Sequence, residues 1–132
     1  MADARTIADR LRELRGRIDD AALRSGRDPS AVRLVVVTKD VSGDRVREAL
    51  AAGVTDLGEN RAQEMTRKME ELAGIAPAPR WHFIGTLQRN KVREVAGHVA
   101  MIHSIDSAEL GIAVGERAAA AGGVQDALLE VN

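Results

Sequence analysis

Lys39 closes an almost wholly apolar run, Leu34-Val35-Val36-Val37-Thr38-Lys39, of the kind that fills the middle of a parallel sheet. An ammonium kept partly out of water loses solvation and gives up its proton more readily. The neutral amine is then a nucleophile that condenses with an aldehyde to an imine. Lys39 is therefore a candidate Schiff-base lysine, the alternative being an amine that extends into solvent past the strand end. Glu59 can balance an imine's charge or pair with a neighbouring lysine or arginine. Asn60 with Gln63 has the spacing of a helix-capping pair. In Trp81-His82-Phe83-Ile84, His82 and Ile84 face one side of a strand and Trp81 and Phe83 the other, so a buried His82 needs a hydrogen-bond partner. His103 falls on the face opposite Ser104 and His98 falls in a loop, so neither is assigned a role. Three scattered histidines have no metal-ligand spacing, and no serine sits in a nucleophile elbow.

The elements that must position these groups alternate regularly. Ile7, Leu11, Leu14, Ile18 and Leu23 mark a first helix, stopped by Ser25-Gly26 and Pro29. After the Lys39 strand, Val46, Ala49 and Leu50 outline a helix that ends at Gly53, and Asp56 to Glu59 reads as the second strand. Ala62, Met65, Met69 and Leu72 form the buried stripe of the next helix, with its methionines as core filler. Trp81 to Gly85 is the third strand, Val92, Val95 and Ala96 a short helix, and Met101 to Ile105 the fourth strand. Asp106 and Glu109 look like a capping box opening a helix through Leu110, Val114 and Ala118, and Ala127 to Val131 is the fifth strand. Strand ends at Lys39, Glu59, Gly85, Ile105 and Val131 recur every 20 to 26 residues, each strand followed by a helix, which specifies an α/β fold with right-handed crossovers. The first strand-to-helix turn lacks the glycine-rich dinucleotide fingerprint, which favours a (β/α)8 TIM-barrel-type fold over a doubly wound sheet. The expected organisation is one partial barrel domain over residues 1–132, with an extra N-terminal helix in 1–28 and about the first five βα units in 32–132. In such a barrel Lys39, Glu59, Asn60, the Gly85 turn, Ser104 and Asn132 share the carboxyl-end face.

Composition narrows the partners. Nineteen basic against twenty acidic side chains give a formal net charge of -1, which is no electrostatic footprint for nucleic acid or an anionic membrane. Cysteine is absent, which excludes disulfides, thiolate metal sites and a cysteine nucleophile and fits a reducing compartment. Met1-Ala2-Asp3-Ala4-Arg5 has no apolar core of a signal peptide, and no segment reaches the roughly 18 apolar residues of a membrane span. The expected location is the cytoplasm.

Thr38-Lys39 after a valine-rich strand, Gly58-Glu59-Asn60-Arg61-Ala62-Gln63-Glu64, Trp81-His82-Phe83-Ile84-Gly85-Thr86-Leu87-Gln88-Arg89-Asn90-Lys91 and Ile102-His103-Ser104-Ile105-Asp106-Ser107 together resemble the pyridoxal phosphate homeostasis proteins. The likeness spans nearly the whole chain, and the Trp81 to Lys91 string is its most specific piece. It implies a single-domain barrel like the N-terminal domain of alanine racemase. The barrel would carry pyridoxal 5'-phosphate (PLP) as a Schiff base on the lysine that matches Lys39, as a carrier or buffer in intracellular PLP homeostasis without established catalytic turnover. By the same resemblance Asn60 lies near the cofactor, and His82 and Ser104 support the site. The expected cofactor-binding set is Lys39, Asn60, His82 and Ser104, with no catalytic residue and no metal, and the expected partners are PLP and the apoenzymes that accept it.

The family's chains continue through three more strands, and the resemblance places the cofactor's phosphate-holding turn and an arginine near its pyridine nitrogen in that later part. Five strands alone leave unpaired edges that tend to add strands, so the expectation is self-association through the open edges or a longer polypeptide. Three functional classes follow: a PLP-binding carrier, which is the leading reading; a PLP-dependent amino-acid racemase-like enzyme; and a cofactor-free half-barrel interaction module. Two-base racemization on this fold pairs the lysine with a tyrosine, and the sequence contains none.

Overall fold

A computed structural model describes residues 5–132; the reading of Met1 to Ala4 lies outside the described residues. Thr6 opens α1 (Ile7–Arg24), its hydroxyl accepting from the Asp9 amide while the Asp9 carboxylate accepts from the Thr6 amide, so two orphan donors of the first turn are satisfied reciprocally. After a 3-10 turn at Pro29–Ala31, whose start Asp28 caps, the chain runs through β1 (Val35–Val37), α2 (Gly43–Ala51), β2 (Asp56–Glu59), α3 (Ala62–Glu71) and β3 (Arg80–Phe83). A second 3-10 turn, Arg89–Lys91, leads into α4 (Val92–Val95), followed by β4 (Met101–Ile105), α5 (Ala108–Ala120) and β5 (Ala127–Leu129).

All five strands form one parallel sheet in the order β1-β2-β3-β4-β5. Each crossover steps to the next position in the same direction, whereas a doubly wound sheet reverses at its middle. The architecture is thus α/β with a five-stranded parallel sheet, consistent with part of a TIM-barrel-like fold. Among the described residues no helix is long and apolar enough to cross a membrane.

One-directional winding corrects the expectation that the Lys39 strand lies mid-sheet. Among the described residues β1 pairs with β2 alone and is an edge, and Val37 is 47% exposed. β5 forms the other edge, shorter than Ala127 to Val131 and exposed throughout.

The two faces of the sheet differ. Register aligns Val36 with Leu57 and Trp81, and Glu59 with Phe83 and Ile102, and parallel partners share a face. On this face the crossovers pack Val46, Met65, Leu72, Val95, Leu110 and Val114 into the core, each such burial contributing about 1.5–3 kcal/mol. The opposite face carries Val35, Val37, Gly58 and His82. Two helix starts differ from expectation. Ser107, not Asp106, caps α5, because its hydroxyl reaches the Leu110 amide at 3.1 Å. Arg61 occupies the N-cap of α3 and no side chain caps it, so Asn60 does not serve there.

Candidate functional site

Lys39 sits in the turn that leaves β1, at the carboxyl edge where TIM-barrel sites assemble. The backbone on both sides of it is tied down. The Thr38 hydroxyl donates to Glu59 Oε1 at 2.6 Å, the Thr38 carbonyl accepts from Lys68 Nζ, and the Asp40 amide donates to Glu64 Oε1 at 2.8 Å. Asp40 adopts φ 59, a left-handed conformation that costs a non-glycine residue about 1–2 kcal/mol. The Lys39 side chain is exposed and makes no hydrogen bond or ion pair among the described residues. This corrects the expectation of a sheltered amine. Thr38 takes the buried direction, so alternation turns Lys39 to the opposite face, which the edge position of β1 leaves uncovered.

Glu59 faces the helices. It is fully buried beside the buried Lys68, whose Nζ lies 2.6 Å from Glu59 Oε1 and 3.0 Å from Glu64 Oε1. Of the two readings of Glu59, pairing with a lysine is the one the structure shows. The Asp40 amide above all, then Lys68 and Arg67, hold the Glu64 carboxyl below the usual carboxylate range against the opposing effect of burial. Sequence reasoning missed Lys68. The available signal was its place three residues after Met65 on the buried stripe of α3, where a charge requires partners.

On the other face Asp56, His82 and His103 form a chain. Asp56 is fully buried and accepts from Arg80 (Nε 3.1 Å, Nη2 2.8 Å), from the Thr55 hydroxyl at 2.7 Å, and contacts His82 Nε2 at 2.7 Å. Burial alone would push its carboxyl up; the hydrogen bonds from Arg80, Thr55 and His82 outweigh that and hold it well below the usual range. An ionised carboxylate only accepts, so in the neutral ring His82 Nε2 carries the proton and Nδ1 is the acceptor for His103 Nε2–H at 2.9 Å. His103 Nδ1 is left with a free lone pair. Burial, and secondarily His82, disfavour the His103 imidazolium and lower its pKa. His103 therefore meets a site residue despite having no assigned role in the sequence reading; two strands' registers had to be known to bring residues 21 apart in sequence into contact. Among the described residues no set of three His, Asp or Glu side chains has metal-holding geometry.

The four expected site residues do not line one pocket. Asn60 is half-buried in an open cleft of about 800 Å³ between the turns after β1, β2 and β3, with Asp40, Arg61, Arg67, Gln88 and Lys91. Lys39 and His82 do not line that cleft. Ser104 is buried on β4, on the face opposite His103, with its hydroxyl unpartnered among the described residues.

Comparison with known proteins agrees with the residue pattern. A scan against protein-family profiles finds no match. Among curated relatives, the pyridoxal phosphate homeostasis proteins of Pseudomonas aeruginosa and Aquifex aeolicus are each 40% identical over 127 and 124 residues, and that of Escherichia coli K12 is 34% identical over 127 residues. These alignments take in 94–96% of this chain and 54% of each relative, so the chain spans about half the length of the curated relatives it matches. The solved structure of PipY from Synechococcus elongatus PCC7942 with PLP bound superimposes with a TM-score of 0.79 at 38% identity, covering 96% of this chain and 55% of PipY. The crystal structure of an unknown protein from Bifidobacterium adolescentis gives a TM-score of 0.85 at 37% identity, covering 100% of this chain and 58% of that one. In sequence, then, this chain is similar to the pyridoxal phosphate homeostasis proteins, and in fold to PipY.

Proposed function

We propose that this chain supplies the Lys39-bearing part of a PLP-binding site and holds the cofactor reversibly on that amine, serving PLP homeostasis rather than catalysis. The observation that carries this reading is an exposed, unpartnered primary amine at the carboxyl edge of a one-directionally wound parallel sheet, in a chain 40% identical to a pyridoxal phosphate homeostasis protein. PLP supplies an aldehyde, and a free primary amine is the side chain that captures one. An exposed lysine also lets an acceptor's amine approach and take the aldehyde over, which suits a carrier that hands PLP to apoenzymes. Asn60 contributes an amide from the adjoining cleft. His82, locked by Asp56, orients His103 toward the site's face. The remaining contacts to PLP come from strands beyond these five, in the same polypeptide or in another copy. That is supported by the length of the relatives and by the exposed Leu129 and Val131 beside the β5 edge.

Titrating the protein with PLP should produce an imine absorption band that Lys39→Ala abolishes, and borohydride reduction should leave the cofactor's mass on the peptide containing Lys39. A folded sample with no adduct at Lys39 would overturn the proposal. Racemization of amino acids by the loaded protein would replace the carrier by an enzyme.

A further inference from the structure

We propose that Lys68, Glu59 and Glu64 form a charged clamp that fixes the backbone on both sides of Lys39 and so sets how its amine is presented to an aldehyde. This rests on the reading of Lys39 given above and adds three residues that position Lys39 through its neighbours Thr38 and Asp40.

A lysine that is 1% exposed and a glutamate that is 0% exposed are costly to bury, and charged hydrogen bonds in good geometry are what offset that cost; among the described residues Glu59 Oε2 makes none, so Oε1 carries them all. Here the bonds of the pair converge on one turn. Lys68 Nζ reaches the Thr38 carbonyl, Glu59 Oε1 holds the Thr38 hydroxyl, and Glu64 Oε1 is shared between Lys68 and the Asp40 amide. The residues before and after Lys39 are thus bound to α3 and to the end of β2, while Lys39 itself stays free. The left-handed Asp40 is the strained point of that turn, and such conformations persist only where the surroundings hold them. Glu64 is what holds this one. Without it the turn relaxes, only part of the population presents the amine correctly, and apparent affinity for the aldehyde falls by that fraction.

Glu64 is the informative position to vary, because its side chain is 14% exposed and a replacement there leaves the buried Lys68–Glu59 pair in place. Glu64→Ala removes the acceptor of the Asp40 amide and the second carboxylate beside Lys68, 3.0 Å from its Nζ; Glu64→Gln keeps a carbonyl oxygen for both donors and removes only the charge. The protein has three lysines, Lys39, Lys68 and Lys91, so acetylation by dilute acetic anhydride, resolved by mass spectrometry, gives a ratio of Lys39 to Lys91 with an internal control and without cofactor. Glu64→Ala should speed hydrogen exchange of the Asp40 amide, shift the Lys39 to Lys91 ratio, and weaken imine formation with PLP about tenfold. Glu64→Gln should restore all three toward wild type. If Glu64→Ala leaves exchange, ratio and imine formation unchanged, or if Glu64→Gln behaves like Glu64→Ala, the clamp is refuted. If the wild-type protein forms no imine, the Lys39 proposal fails by itself, and exchange and acetylation still decide whether the clamp holds the turn.

Discussion

Gly85 and Gly43 make opposing cases for what a methyl group does in a crowded place. A Cβ added at Gly85 would lie 2.2 Å from the Asn60 carbonyl oxygen and 2.8 Å from its carbonyl carbon and Cα, where carbon atoms in contact need about 3.5–4.0 Å. All three neighbours are backbone, with no rotamer to escape into, and the segment is held by the Ile84 amide donating to the Glu59 carbonyl at 2.9 Å. Overpacking costs about 1–3 kcal/mol when side chains can yield, so a backbone collision belongs at or above the upper end. With a urea slope of about 1–3 kcal/mol per molar for a domain of this size, Gly85→Ala should lower the unfolding midpoint by about 1–3 M. Gly43→Ala meets an even shorter contact, 1.9 Å to Glu71 Oε1, but that atom ends a flexible side chain that can swing aside. What Glu71 gives up is a 3.9 Å approach to the half-exposed Arg47, worth little at a surface, while alanine favours the first turn of α2 by up to about 1 kcal/mol over glycine. Gly43→Ala should therefore be neutral or stabilising. Urea unfolding followed by circular dichroism decides: if Gly43→Ala is as damaging as Gly85→Ala, the claim that the neighbour's softness outweighs the distance is wrong.

Removing one member of the buried pair should cost far more than removing both. Lys68→Met strands Glu59 and should destabilise by about 3–5 kcal/mol, and the double variant Lys68→Met, Glu59→Leu should recover most of it, measured as a double-mutant cycle. Truncating Leu57, fully buried on β2, to alanine should cost about 2–5 kcal/mol in the same assay. Acidification should act in two stages. The folded His103 binds a proton less readily than the unfolded value of 6.5, so its contribution is complete above that pH and is lost as pH falls below it; Asp56, held low, contributes above 3.8 and is lost only at lower pH. Nuclear magnetic resonance should show His103 titrating below 6.5, and His103→Asn should flatten the upper stage; titration above that value would contradict the relay geometry.

Much of the fold was legible because it is written locally. The 2-residue and 3.6-residue periods locate β2 and β4 at their observed limits, and Gly53, in the left-handed region at φ 103, ends α2 as a glycine cap should. What escaped depends on neighbours that only the sheet order brings together. Three valines in a row signal burial on both faces and so place Lys39 mid-sheet, a signal that does not say whether a strand has one partner or two. Lys68 breaks an apolar stripe, and that break is itself the clue to it. The Asp106 and Glu109 spacing fitted a capping box, yet Ser107, one residue later, placed its hydroxyl within reach of the helix amides instead.

The division of the sheet into two faces explains why candidate site and stability can be perturbed separately. Every strong ionic contact to the Lys39 turn comes from the helix-packed side, through Glu59, Lys68 and Glu64, where low solvent access strengthens charged hydrogen bonds. The free amine and the His82–His103 pair lie on the other side, where Val37 is open to solvent at the β1 edge. Changes to the packed side should therefore alter folding and the presentation of Lys39 together, whereas changes to the exposed Lys39 side chain on the open side should alter aldehyde capture with little loss of stability. Lys39→Ala is the clearest case, since it deletes an exposed side chain with no partner among the described residues: its unfolding midpoint should match wild type while its imine band vanishes. A marked loss of stability in Lys39→Ala would show that the amine is engaged in the fold after all, and the separation of the two faces would fail with it.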